Sequence, residues 1–68
     1  MKRISGKQMC KVLKRHGWVE DRVESSHHTF KKPGVMQIVT VTVHGHKTMK
    51  LGHQCAVMKQ AGLTEVDL

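Results

Sequence analysis

The chain is 68 residues long and 38% hydrophobic, a size at which residues 1–68 form one domain around one small core. Twelve Lys and Arg against five Asp and Glu give a formal net charge of +7, which favours a polyanionic partner such as RNA. Cys10 and Cys55 belong to no paired motif, and no apolar run suits a signal peptide or a membrane span, so we expect a cytoplasmic protein without a disulfide framework or membrane contact.

The first predicted element is a helix from about Gly6 to His16. Ser5 and Gln8 have the spacing of a capping box, and Gly17 offers a stop. The apolar residues between them recur at helical intervals: Met9, Val12 and Leu13. The opposite face is basic, and it faces either solvent or phosphate.

Three predicted strands follow the first helix. Val19 and Val23 alternate with charged residues, as in a half-buried first strand. A second strand runs from His27 to Lys32, Pro33-Gly34 makes a turn, and a third strand runs from Ile38 to His44. The third strand has apolar residues on one face: Val39, Val41 and Val43.

The last predicted element is a second helix that Gly62 ends. One face of this helix is predicted to be apolar, with Leu51, Cys55, Met58 and Ala61. The tail from Thr64 to Leu68 is expected to be frayed. The order α-β-β-β-α with a three-stranded antiparallel sheet predicts a two-layer α+β fold, with both helices on one face of the sheet.

Strand alternation separates two adjacent histidines. His28 and Phe30 share one face of the second strand, and His27 shares the other face with Thr29 and Lys31. Phe30 belongs in the core, so His28 is the more buried histidine and His27 faces solvent.

A hairpin register follows from the same alternation. With Pro33 to Met36 as the loop, Phe30 lies opposite Val39 and His27 lies opposite Thr42. A third strand that continues through His44 makes His44 a diagonal neighbour of His27, roughly 7 to 8 Å away.

These residues suit metal-independent RNA cleavage, with no cofactor. Neutral His27 would take the proton of a ribose 2′-hydroxyl, which attacks the adjacent phosphate, and His44 is a candidate acid. Lys31, Lys47 and Thr29 would contact phosphate oxygens. The pattern alone favours an ordinary surface histidine over a catalytic one.

A metal site is the other chemistry that histidines suggest. His44 and His46 would lie on one side of a strand, where His27, His53 or a cysteine could complete a ligand set. No paired cysteine motif or acidic cluster accompanies them, so we expect no metal.

In chain order, these features resemble the HicA family of toxins. The resemblance covers Ser5 to Leu63, and four segments carry it: Gly17-Trp18, Ser25-Ser26-His27-His28-Thr29-Phe30, Val43-His44-Gly45 and Met58-Lys59-Gln60-Ala61-Gly62-Leu63. It implies a fold like the double-stranded-RNA-binding domain. It also implies an mRNA interferase, an endoribonuclease whose cleavage of messenger RNA halts growth and which a HicB antitoxin neutralises.

The family's Gly-Ser-His motif, which carries its active histidine, falls on residues 25–27 of this chain. The resemblance therefore assigns catalysis to His27, with Ser26 in a supporting role. Ser25 stands where the family usually has glycine, and a glycine there would permit a positive φ angle. We expect serine to alter the turn before His27.

Two other functions remain open from the sequence. One is a non-catalytic RNA-binding module that uses the same basic face. The other is a protein-interaction domain whose basic surface docks an acidic partner.

Overall fold

The computed structural model describes all 68 residues. Its helices and strands are α1 (Gly6–Arg15), β1 (Val19–Glu24), β2 (His27–Lys32), β3 (Val35–Thr42), α2 (Leu51–Ala61) and a short 3-10 helix (Glu65–Asp67). The strands form one antiparallel sheet in the order β1-β2-β3. The predicted α+β class and the α-β-β-β-α order are confirmed.

The capping box at the start of α1 is confirmed. The Gln8 backbone N–H donates to Ser5 Oγ at 3.1 Å, and the Ser5 N–H donates to Gln8 Oε1 at 2.9 Å. These two bonds satisfy polar groups that a helix start otherwise leaves unpaired. The apolar face of α1 is buried as predicted, with Met9 and Leu13 wholly inaccessible to solvent.

The predicted register between β2 and β3 is also confirmed. Phe30 pairs with Val39, and His27 pairs with Thr42. The bounds of β3 differ from the prediction, because the strand runs from Val35 to Thr42 and ends before His44. Lys32 pairs with Val35 across a tight turn. The register shifts between Phe30 and Lys32, because β3 has more residues than β2 between these two pairs.

The core lies on one face of the sheet. Phe30, Val39 and Val41 are fully buried there, in one cluster with apolar residues of both helices. Neither helix therefore covers the opposite face of the sheet, which we call the open face. On it lie His27, Thr29 and Lys31 of β2, with Ile38 and Thr40 of β3.

The predicted half-buried alternation of β1 is wrong. Val19 and Val23 are 58% and 51% exposed. An irregularity between Glu20 and Arg22 breaks the two-residue period of this edge strand, so Val19 and Val23 lie on opposite faces of the sheet.

The predicted apolar face of α2 is wrong in two places. Leu51 and Cys55 are exposed, and the buried face carries Gln54, Val57 and Met58 instead. Gln54 has its own partners in the segment before α1. Its Oε1 accepts the N–H of Ile4 at 3.1 Å, and its Nε2 donates to the carbonyl of Lys2 at 2.7 Å. A polar residue therefore occupies the buried face because backbone groups satisfy it.

The tail is not frayed as predicted. It forms the 3-10 helix, and one ion pair and one histidine–carboxylate contact hold it against the start of the chain and the end of α1. The amino terminus of Met1 lies 3.2 Å from Glu65, and His16 Nε2 lies 3.5 Å from Asp67. The backbone N–H of Thr64 lowers the pKa of Asp67 by donating a hydrogen bond to its carboxylate.

Candidate functional site

The hairpin between β1 and β2 positions His27. Glu24 pairs with His27 at the end of the hairpin, so Ser25 and Ser26 form a two-residue loop. The carbonyl of Ser26, a half-buried residue, accepts the N–H of Val43 at 2.7 Å, which ties this loop to the segment after β3. The position of His27 is therefore fixed by backbone hydrogen bonds on both sides.

Ser25 has a φ angle of +53°, and it is the one residue other than glycine with a positive φ. A positive φ at the first position of a two-residue hairpin loop is where a type II′ turn takes glycine. Position 25 therefore has a backbone conformation that favours glycine, the residue of the family motif, although this chain has serine there.

His27 is exposed on the open face, and its imidazole makes no hydrogen bond or ion pair within the chain. Thr29, on the same face, is half-buried between Arg22 and Thr40. Lys31, also exposed, places Nζ 3.4 Å from Asp21. An exposed pair of this kind contributes about 0–1 kcal/mol, so the Lys31 ammonium can exchange Asp21 for phosphate at little cost.

His28 has the structural position that strand alternation predicts. It is half-buried, and its Nδ1 lies 2.6 Å from Glu20 Oε1. Glu20 Oε2 also lies 3.7 Å from Lys14 of α1. The hydrogen bond from His28, assisted by the charge of Lys14, lowers the pKa of Glu20. His28 and Glu20 thus join the sheet to α1.

His53 on α2 is another histidine with a partner. Its Nε2 accepts the backbone N–H of Thr42 at 3.1 Å. Because Nε2 is the acceptor, the proton of the neutral ring lies on Nδ1, which is left as a donor. Thr42 is also the residue opposite His27 in the sheet. Thr42 therefore contacts both histidines through its backbone, with His27 on β2 and His53 on α2.

His44 and Lys47 lie in a cleft of about 340 Å³ between the end of β3, the following loop and the start of α2. We call it the basic cleft. It is lined by Thr42, His44, Lys47, Thr48, Met49, Lys50 and His53. The predicted strand bounds that made His44 a diagonal strand neighbour of His27 are wrong, because β3 ends at Thr42.

The structure therefore divides the predicted residues between two adjacent surfaces. His27, Thr29 and Lys31 share the open face, and His44 and Lys47 line the basic cleft. Five residues of the cleft were not predicted as site residues: Thr42, Thr48, Met49, Lys50 and His53. A correct buried face for α2 would have indicated His53, because it lies beside the buried Gln54.

Neither cysteine is part of a ligand set. Burial, with the charge of Glu20 as a smaller cause, raises the pKa of the Cys10 thiol to about 11, and Cys55 is exposed on α2. No group of three or more His, Cys, Asp or Glu side chains in the structure is arranged to hold a metal ion.

A comparison with protein families gives a match that covers most of the chain. The family model described as the HicA toxin of bacterial toxin-antitoxin systems matches residues 6–63, from the first residue of α1 to the residue after the Gly62 cap. The comparison with curated proteins gives no match. None of the helices has the length and apolar character needed to cross a membrane.

Proposed function

Because the chain belongs to the HicA family of toxins of bacterial toxin-antitoxin systems, we propose that it is an endoribonuclease that cleaves messenger RNA with His27. The toxin role follows from the family. The reaction, the residue and the RNA substrate are those that the resemblance to the family implies, and the position of His27 and the charge around it support them.

The free imidazole of His27 is the observation that supports this proposal most. His16, His28 and His53 each have a partner within the chain, while His27 has none. His27 is also the one histidine on the open face, where a strand of RNA can approach without displacing a helix. A base must be available to its substrate, and His27 meets that condition.

The proposed reaction needs one base and one acid. His27 takes the proton of a ribose 2′-hydroxyl, and the oxygen forms a bond to the adjacent phosphorus. The bond from phosphorus to the 5′-oxygen breaks, and the leaving oxygen takes a proton from an acid. His44 remains the candidate for that acid, from its place in the basic cleft beside Thr42. The products are a cyclic 2′,3′-phosphate and a 5′-hydroxyl.

Supporting residues act on the phosphate and on the loop. Lys31 and Lys47 provide positive charge for the phosphate oxygens, on which negative charge develops. Thr29 offers a hydroxyl beside His27 on the open face. Ser26 keeps the hairpin loop in place through its carbonyl bond to Val43.

A toxin of this class has an antitoxin partner. We propose that it is a HicB-like protein that covers the face carrying His27. The basic residues around His27 favour acidic or hydrogen-bonding groups on the antitoxin surface. Charge reversal of those groups is expected to release the toxin from inhibition.

The proposal is tested with a labelled transcript and a metal chelator. Wild type is expected to cleave the transcript with chelator present. His27→Ala is expected to reduce cleavage by about 10²- to 10⁴-fold, the usual contribution of a general base. His46→Ala is the matched control, because His46 is also exposed and unpaired but lies near Ser5 and Lys7, away from the open face.

Each outcome of this experiment selects one function. Cleavage by the His27→Ala variant at the wild-type rate would contradict the assignment of His27. Intact RNA that wild type retards on a gel would identify a non-catalytic RNA-binding module. Neither cleavage nor retardation would identify a protein-interaction domain.

A further inference from the structure

The basic cleft supplies His44 and Lys47 to the proposed reaction, but its lining also contains Lys50 and His53, which that reaction does not use. Lysine and histidine side chains line it together with two threonines, and one residue of the lining, Met49, is hydrophobic. It contains no carboxylate. A concave surface with cationic groups and no counter-charge is suited to an anion.

The two lysines of the cleft have no ionic partner in the chain. Lys14 and Lys31 lie within 4 Å of Glu20 and Asp21, at 3.7 and 3.4 Å, but neither Lys47 nor Lys50 forms an ion pair. The first turn of α2, which begins after Lys50, has no acidic residue and no side-chain cap. The positive charge of the cleft is therefore not neutralised within the protein.

His53 adds a ring of fixed orientation to the lining of the cleft. The hydrogen bond from the Thr42 N–H to its Nε2 holds the ring and leaves the proton on Nδ1. The lining of the cleft therefore combines two exposed lysines with a histidine ring that a hydrogen bond holds in place. It also begins at Thr42, the residue opposite His27 in the sheet.

We propose that the basic cleft binds a phosphate of the RNA strand, next to the phosphate that reacts at His27, and that Lys50 and His53 hold it while Lys47 contributes positive charge to both phosphates. The proposal rests on RNA as the substrate of the proposed function. Lysine binds phosphate as a point charge, and RNA offers one phosphate at each nucleotide.

The first test measures binding to a 2′-O-methyl RNA oligonucleotide, which cannot be cleaved because it lacks the 2′-hydroxyl. Fluorescence anisotropy at several salt concentrations gives the slope of log K against log salt. Lys47→Gln and Lys50→Gln are each expected to weaken binding and to reduce this slope by about 0.7, the value for one phosphate contact on a single strand.

Lys59→Gln is the matched control for Lys50→Gln. Lys59 is exposed on the last turn of α2, about 13 Å along the helix axis from Lys50. Its replacement removes the same charge and is expected to leave the slope unchanged. Equal loss of slope in Lys50→Gln and Lys59→Gln would overturn the proposal, because it would reflect net charge and not the cleft.

A second measurement tests the ligand chemistry. Backbone amide NMR signals of Thr42 and His53 are expected to shift on titration with inorganic phosphate, and not with acetate at the same ionic strength. His53→Ala is expected to abolish these shifts at Thr42. Equal shifts with acetate, or none with phosphate, would overturn the proposal.

Failure of the inference differs from failure of the proposed function. If wild type binds the oligonucleotide and the cleft variants match Lys59→Gln, the cleft is not a phosphate site and RNA remains the ligand. If wild type does not bind the oligonucleotide, RNA is not the ligand and both are overturned. If wild type binds it but cleaves no transcript, the cleavage proposal alone is wrong.

Discussion

Ser25 has the backbone conformation that is least suited to its side chain. Its φ of +53° lies in the left-handed region, which costs a residue with a Cβ about 1–2 kcal/mol. Glycine avoids this cost but loses about 0.4–1 kcal/mol through the greater entropy of the unfolded chain. We therefore expect Ser25→Gly to raise the free energy of unfolding by about 0.5–1 kcal/mol, measured by urea denaturation.

Ser26→Gly is the control for this prediction. Ser26 occupies the same loop without a positive φ, so glycine there brings the entropic loss and no relief of strain. Its free energy of unfolding should fall below that of wild type. A fall in both variants would show that Ser25 is not strained. The same preparations show whether cleavage by His27 changes when the loop before it carries glycine.

The exposure of individual residues could be predicted from the sequence where side chains alternate strictly between the two faces of a strand. The two-residue period of β2 correctly separated exposed His27 from half-buried His28, because Phe30 belongs in the core and His28 lies on the same face of the strand. The partner of His28 could not be predicted, since Glu20 reaches it through an irregular pairing in β1. A bulge leaves no reliable mark in the pattern of apolar residues.

At the level of whole elements, two helix glycines have opposite surroundings. Gly6, the first residue of α1, is buried against the end of β3, and a Cβ there would overlap the carbonyl oxygen of Thr42 and lie 3.1 Å from the Cα of Val43. We expect Gly6→Ala to lower the free energy of unfolding by about 1–3 kcal/mol, because backbone must move to make room. Thermal or urea denaturation measures this loss.

Gly52 is the matched control, since it lies in the first turn of α2 and a Cβ there would have no atom within 4 Å beyond its own helix backbone and chain neighbours. Gly52→Ala is expected to raise the free energy of unfolding by up to about 1 kcal/mol through helix propensity. Equal effects in the two variants would contradict the close approach at Gly6. The outcome for Gly6 also matters to the site, because Thr42 joins His27 to the basic cleft.

Element types and order could be predicted because caps, turns and periods are local. The capping box, Pro33-Gly34 and Gly62 marked the ends of elements correctly or nearly so. The buried face of α2 could not be predicted in the same way, because Gln54 is buried through bonds to a backbone segment distant in sequence. A polar residue is ordinarily predicted to be exposed, and the sequence does not show when distant backbone groups will satisfy it in the core.

At the scale of the whole molecule, the basic cleft required tertiary structure. Its lining comes from the end of β3, from the loop and from α2, and no single segment shows it. The net charge of +7 favours an anionic partner, but it does not indicate where unpaired charge gathers. Lys14 and Lys31 form ion pairs with carboxylates, whereas Lys47 and Lys50, which line the basic cleft, form none.

Acid stability is a property of the whole fold in which Glu20 has a central part. Glu20 contacts His28 of β2 and Lys14 of α1, and these contacts lower its pKa from the ordinary value of 4.5. Below that value the unfolded chain binds a proton that the folded chain does not. The contribution of Glu20 to stability is therefore complete above pH 4.5 and is lost as the pH falls through the lower pKa of the folded state.

We expect the urea midpoint of wild type to fall between about pH 6 and about pH 3, and that of Glu20→Gln to start lower and to fall less. Glu24→Gln is the control, because the Glu24 carboxylate is 68% exposed and contacts only Arg22, so this variant should lose as much stability as wild type. The lowered pKa of Asp67 accounts for a fall that remains in Glu20→Gln. Parallel curves for wild type and Glu20→Gln would mean that the contacts of Glu20 with His28 and Lys14 do not join the sheet to α1 in solution.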